Sequence, residues 1–91
     1  NDLYQKQFEQ QKNQIKNQMQ QYRSMVNLAD KQMRYSQTLI EANLKQLPTG
    51  DVKMVDFILA ITNYTNLKSG LLQYKMQVLK LENQYDNIIL P

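Results

Sequence analysis

Residues 47–60 read LPTGDVKMVDFILA. The stretch holds one of the chain's two prolines and one of its two glycines, and long periodic polar–apolar runs lead into it and out of it. Pro48 disfavours helical dihedrals at Leu47, so a helix arriving from the N-terminal side ends near Gln46. Gly50 takes a left-handed conformation that other residues resist. Asp51 is a good N-cap for a helix that starts at Val52. The stretch therefore predicts a stop, a reversal and a restart, and a short reversal places the two helices side by side.

Downstream of the reversal the pattern is clean. Phe57, Ala60, Tyr64, Leu67, Leu71, Tyr74, Val78, Leu81, Tyr85 and Ile88 alternate gaps of three and four without a miss. A 3/4 alternation has a period of 3.5 and not 3.6, which favours a left-handed coiled coil over a helix that merely buries one stripe. A second stripe runs beside the first: Ile58, Thr65, Leu72 and Leu79 repeat every seven residues, with Met54 and Ile61 flanking them.

Upstream the same alternation holds less cleanly. Phe8, Lys12, Ile15, Met19, Tyr22, Val26, Ala29, Met33, Ser36, Ile40, Asn43 and Leu47 keep the spacing, with Lys12, Ser36 and Asn43 as polar interruptions. Met25, Leu28, Tyr35, Leu39 and Ala42 form a second stripe here too. Asp30 with Arg34, and Glu41 with Lys45, are i,i+4 pairs in the favourable order, contributing roughly 0.2–0.5 kcal/mol each. The expected fold is all-α: one long antiparallel helical hairpin, a coiled coil, with a helix over about 2–46, a turn at 47–51 and a helix over about 52–88. At about 1.5 Å per residue each arm spans roughly 55–70 Å. A lone hairpin has a thin core and leaves its second stripes in water, which argues for assembly, with its own copies or within a larger barrel.

The composition agrees. Ninety-one residues make at most one domain. Few Gly and Pro mean few turns, hence few and long elements. No run alternates with period two, so no sheet is expected. The absence of Cys and His removes disulfides, thiolate metal sites and the commonest general acid–base residue. Asp51 and Asp56 lie about 140° apart around a helix, so they do not converge for catalysis. Asp56 reads first as a solvated acid near the positive end of a helix dipole. We read no phosphate loop and no nucleophile–base pair, and expect no enzyme, no cofactor and no metal. Asn63-Tyr64-Thr65 fits a glycosylation pattern but falls in mid-helix. Gly70, also in mid-helix, either lets another helix come close or is incidental.

The net charge is +3. Lys6, Lys12, Lys16, Arg23, Lys31, Arg34 and Lys45 scatter around the helix, whereas a nucleic-acid binder concentrates its cations on one face, so no nucleic acid is expected as a partner. No run approaches the roughly 18 apolar residues of a membrane-spanning helix, and no charged segment precedes an apolar one at the start. The chain opens on Asn1 without Met and reads as a piece of something larger.

The run of Gly50, Val55, Asp56, Ile58 and Ala60, a G-x-x-x-x-V-D-x-I-x-A pattern, continues through Asn66, Lys68, Leu71 and Leu79 at heptad spacing, and Glu41-Ala42 closes the polar helix before it. This arrangement resembles the TolC family of outer-membrane efflux channels, in which a Gly-bearing turn leads into V-D-V-L-D-A at the closed periplasmic end. The resemblance covers about two thirds of the chain. It implies the entrance-tip hairpin of a homotrimeric channel whose hairpins form a periplasmic α-barrel, continued by a β-barrel in the outer membrane of a Gram-negative bacterium. It implies docking of the tip on a periplasmic adaptor that works with an inner-membrane pump, for export of small molecules or proteins. On this chain the implied docking tip is Leu47, Pro48, Thr49, Gly50, Asp51, Val52 and Lys53, and Asp56 is the implied acid ringing the entrance.

The chain departs from the family's archetype at Leu47, where it has Tyr, at Val52, where it has Arg, and at Leu59, where a second acid stands. Pro48-Thr49 also differ from the usual residues before the Gly. The polar latch of the closed entrance and the second acid ring are thus not carried over. The other reading is a freestanding coiled-coil scaffold or protein-interaction module. A lipid-surface helix would need a strongly basic polar face, and this one is rich in Gln.

Overall fold

The computed structural model describes residues 2–88. Asn1 and residues 89–91, which the single-domain reading includes, lie outside them. Helix α1 spans Asp2–Gln46 and helix α2 spans Met54–Asp86, with a short 3-10 turn over Leu47–Thr49 between them. No strand occurs among the described residues. The molecule is a rod measuring 73 × 14 × 14 Å.

Early residues of α1 meet late residues of α2, so the chain folds back on itself as a hairpin. The Lys12 ammonium lies 5.3 Å from the centre of the Tyr85 ring. The Tyr22 and Tyr74 rings lie 6.3 Å apart, tilted by 43°. Arg23 and Glu82 form an ion pair at 3.0 Å. Helix α1 has 45 residues and α2 has 33. At 1.5 Å per residue they run about 68 and about 50 Å, so α2 is shorter than the sequence led us to expect.

The two seams pack as read. All ten positions of the C-terminal seam are buried or half-buried, and so are all twelve of the N-terminal seam, the polar interruptions included. Burial is deepest at Met19, Ala29, Ser36, Leu71 and Leu81. Met19 and Leu81 stand equally far along the chain from Gly50, as do Ala29 and Leu71. The core is a single line of such levels. Leu71 and Leu81 each stabilise the hairpin by roughly 1.5–3 kcal/mol through burial of their side chains.

Two of the polar interruptions differ in character. Lys12 is held between rings, its ammonium 5.9 Å from the Phe8 centre as well as near Tyr85. Such a cation–π contact offsets a charge on the seam, contributing roughly 0.5–1 kcal/mol at a partly exposed site. Ser36 has no such compensation. It is 3% exposed and its hydroxyl oxygen has no hydrogen-bond partner.

The second stripes stay uncovered. Met25, Leu28, Tyr35 and Leu39 on α1, and Ile58, Ile61, Leu72 and Leu79 on α2, are all exposed. Thr65 bonds to the Ile61 carbonyl one turn back, as Thr62 does to the Ile58 carbonyl. Gly70 makes no close approach: a Cβ built there would meet no atom within 4 Å.

The sequence-derived ends of α2 need correction. It starts at Met54, not Val52, and its N-cap is Lys53. It ends at Asp86, short of Ile88, where the Asn87 amide N–H closes on the Asn83 carbonyl at 3.1 Å. The reversal accordingly runs from Leu47 to Lys53 and not only to Asp51.

Candidate functional site

The tip is built by proline and glycine acting in series. α1 ends at Gln46, as the proline rule requires. The chain does not open at once. It tightens into the 3-10 turn, with Pro48 inside it, and the Gly50 amide donates to the Leu47 carbonyl at 3.2 Å. Gly50 then takes φ 81°, ψ 2°, the left-handed region, as expected. It is the one residue with positive φ among those described.

Asp51 does not cap α2. Its carboxylate faces the other way and accepts from the Thr49 hydroxyl at 2.9 Å. The same hydroxyl lies 2.7 Å from the Gln46 carbonyl oxygen. A hydroxyl carries one proton, so Thr49 serves one of these two acceptors at a time. The physical reason for the failed cap is position. With two further residues, Val52 and Lys53, before the first helical one, Asp51 is too early to reach the orphan N–H groups of α2. Lys53, extended at φ −78°, ψ 148°, occupies the N-cap and offers no side-chain acceptor. The first intrahelical bond, from the Phe57 amide to the Lys53 carbonyl, is 3.1 Å.

The residues expected to form the docking tip therefore do gather at one end of the rod. Pro48, Thr49, Gly50, Asp51 and Lys53 are exposed, and Leu47 and Val52 are half-buried beneath them. Asp56 is exposed in the first turn of α2, where the positive end of the helix dipole favours an acid. Lys45, in the last turn of α1, complements the negative end of that helix.

One feature of the tip escaped the sequence reading. Large apolar side chains flank the reversal on either side: Leu44, Met54, Val55, Ile58 and Leu59 are between 54% and 65% exposed. Leu44, Val55 and Leu59 lie off both the seam and its neighbouring stripe, so periodicity had no reason to flag them. The signal available was their density next to the turn.

Among the described residues no group of three or more His, Cys, Asp or Glu could hold a metal ion, and no helix is long and apolar enough to cross a membrane. No protein-family model, no curated protein and no solved structure matches this chain.

Proposed function

We propose that this chain is a packing module, an antiparallel coiled-coil hairpin that works inside an assembly of helices, and that the assembly is a TolC-like efflux duct. The observation that carries the first half is the pair of uncovered apolar stripes. Each helix uses one seam for its partner within the hairpin and keeps a second stripe exposed. A helix in a barrel wall has a neighbour on either side and needs both. The second half rests on the resemblance around Gly50 and Asp56, and the exposed apolar side chains flanking the turn support it. A tip that docks end-on needs a shaped turn and apolar surface around it.

In this reading three copies of the native polypeptide build the channel, and residues 47–53 meet a periplasmic adaptor that links the duct to an inner-membrane pump. Asp56 contributes an acidic ring at the entrance. The site of action is the periplasm and outer membrane, and the cargo is a small molecule or a protein.

The freestanding interaction module is the second reading. The tip itself favours it: Leu47 and Val52 are half-buried apolar residues where the family's entrance latch uses polar ones.

The deciding experiment is dye efflux from cells carrying variants of the native polypeptide. Thr49→Arg should cut export while leaving helix content unchanged, since Thr49 is exposed. Gly50→Leu should abolish export through the strained turn. Unimpaired efflux in both variants would remove the duct and leave the freestanding module.

A further inference from the structure

One long edge of this hairpin is nearly free of charge. Two long edges flank the packed seams. The first is marked by the Arg23–Glu82 ion pair, and Asn27, Lys75 and Leu79 line a shallow groove beside it. Lys16, Asp30 and Lys68 fall on this same edge by heptad position.

The opposite edge is different. Three shallow grooves follow it: one between Tyr4 and Ile88, one between Gln14 and Gln84, one between Tyr35 and Asn63. On α1 its positions in the outer half are Gln7, Gln11, Gln14, Gln18 and Gln21. Nearer the turn they become Met25, Leu28, Tyr35, Leu39 and Ala42. From Tyr4 to Gln46 this stripe of α1 bears no charge. On α2 the facing positions hold Asn63, Gly70, Gln77 and Gln84, and the charges near them are Asp56 at the tip and Lys80. Lys31 reaches the rim of the groove beside Tyr35.

We propose that this charge-free edge is the contact face for a second copy of the chain, giving a two-fold dimer of hairpins. The inference rests on the packing-module reading above and names the surface. Two observations select a second copy as the occupant. Each copy carries a net charge of +3, and this edge is the approach that brings fewest of those cations together. The residues are those that pair with themselves. An amide both donates and accepts, so a glutamine stripe meets its own two-fold mate without mismatch. Tyrosine and methionine in place of charge are the composition of interface cores.

The test is sedimentation equilibrium of the chain at tens of micromolar, with circular dichroism to check folding. The wild type should sediment as a dimer. Tyr35→Lys, which puts two new cations at the contact, should raise the dissociation constant by roughly tenfold or more. Gln21→Lys, a polar exchange at an exposed site, should do the same if Tyr35→Lys disturbs the helix. Leu72→Lys, on the charged edge, should leave the dimer intact. A strictly monomeric wild type would overturn both this inference and self-assembly of the hairpin. A dimer that Leu72→Lys dissolves and the Tyr35 and Gln21 variants do not would overturn the choice of edge alone. Open-ended growth sensitive to changes on both edges would replace the two-fold dimer with a head-to-tail array.

Discussion

Arg23 Nη2 lies 3.0 Å from Glu82 Oε1, a hydrogen-bonded ion pair between residues 59 positions apart in sequence. It crosses from α1 to α2 and ties the hairpin in one register. Both side chains are substantially exposed, 54% and 41%. An exposed pair of this kind contributes roughly 0.2–1 kcal/mol. A double-mutant cycle with Arg23→Ala and Glu82→Ala, followed by urea unfolding, should return a coupling in that range, and high salt should shrink it.

Gly50→Ala tests the turn. A Cβ at Gly50 would meet no atom within 4 Å, so the substitution strains the backbone alone. The left-handed conformation should then cost roughly 1–2 kcal/mol, read as a lower urea midpoint. Gly50→Asn should lose less, because Asn tolerates that region.

Lys53 invites an improvement. It holds the N-cap of α2 without a side-chain hydrogen bond. Lys53→Asp places an acceptor within reach of the orphan N–H groups and should stabilise the hairpin by about 1 kcal/mol in thermal unfolding. Asp51→Ala, in contrast, should leave α2 as helical as before, because Asp51 caps nothing. A clear loss of helix in Asp51→Ala would contradict the observed cap.

Gly70→Ala should raise stability by about 1 kcal/mol. The glycine sits inside α2, where Ala is the better helix former. Its Cβ would point into open space. A destabilised variant would mean that Gly70 accommodates a close neighbour in an assembly.

Ser36→Ala removes a buried hydroxyl that has no partner. The variant should be more stable by about 1 kcal/mol, since an unsatisfied buried polar group is destabilising. A less stable variant would mean that the Ser36 hydroxyl does find a partner in solution.

Most of the arms was legible in the sequence, and for one reason. A helix packed along one partner presents the same face every three or four residues, so each seam position announces its own burial. Lys12, Ser36 and Asn43 read as polar interruptions of that spacing, and the structure buries or half-buries them along with it. The breaking of α1 at Gln46 and the left-handed Gly50 were equally legible, because Pro and Gly constrain the backbone locally.

The start of α2 was not. Asp51 is a good N-cap by residue type, but which residue occupies the N-cap depends on how far the chain must travel to bring α2 beside α1. That distance is set by packing of the two seams, not by the turn residues. It used two more residues and left Asp51 to bond Thr49. The exposure of Leu44, Val55 and Leu59 was hidden for a related reason. Exposure is a property of what the other helix fails to cover, and no single helix carries that information.

Two helices, a reversal and the stripe by which each helix meets the other can be read directly from the order of residues. Periodicity and local backbone constraints suffice for this. The cap at Lys53 and the stranded hydroxyl of Ser36 emerge only once the two helices pack. That packing also sets the two edges apart, the one tied by Arg23 and Glu82, the other nearly free of charge. These follow from which residues of α1 and α2 share an edge once the seams are closed, and that relation exists only after the two helices lie together.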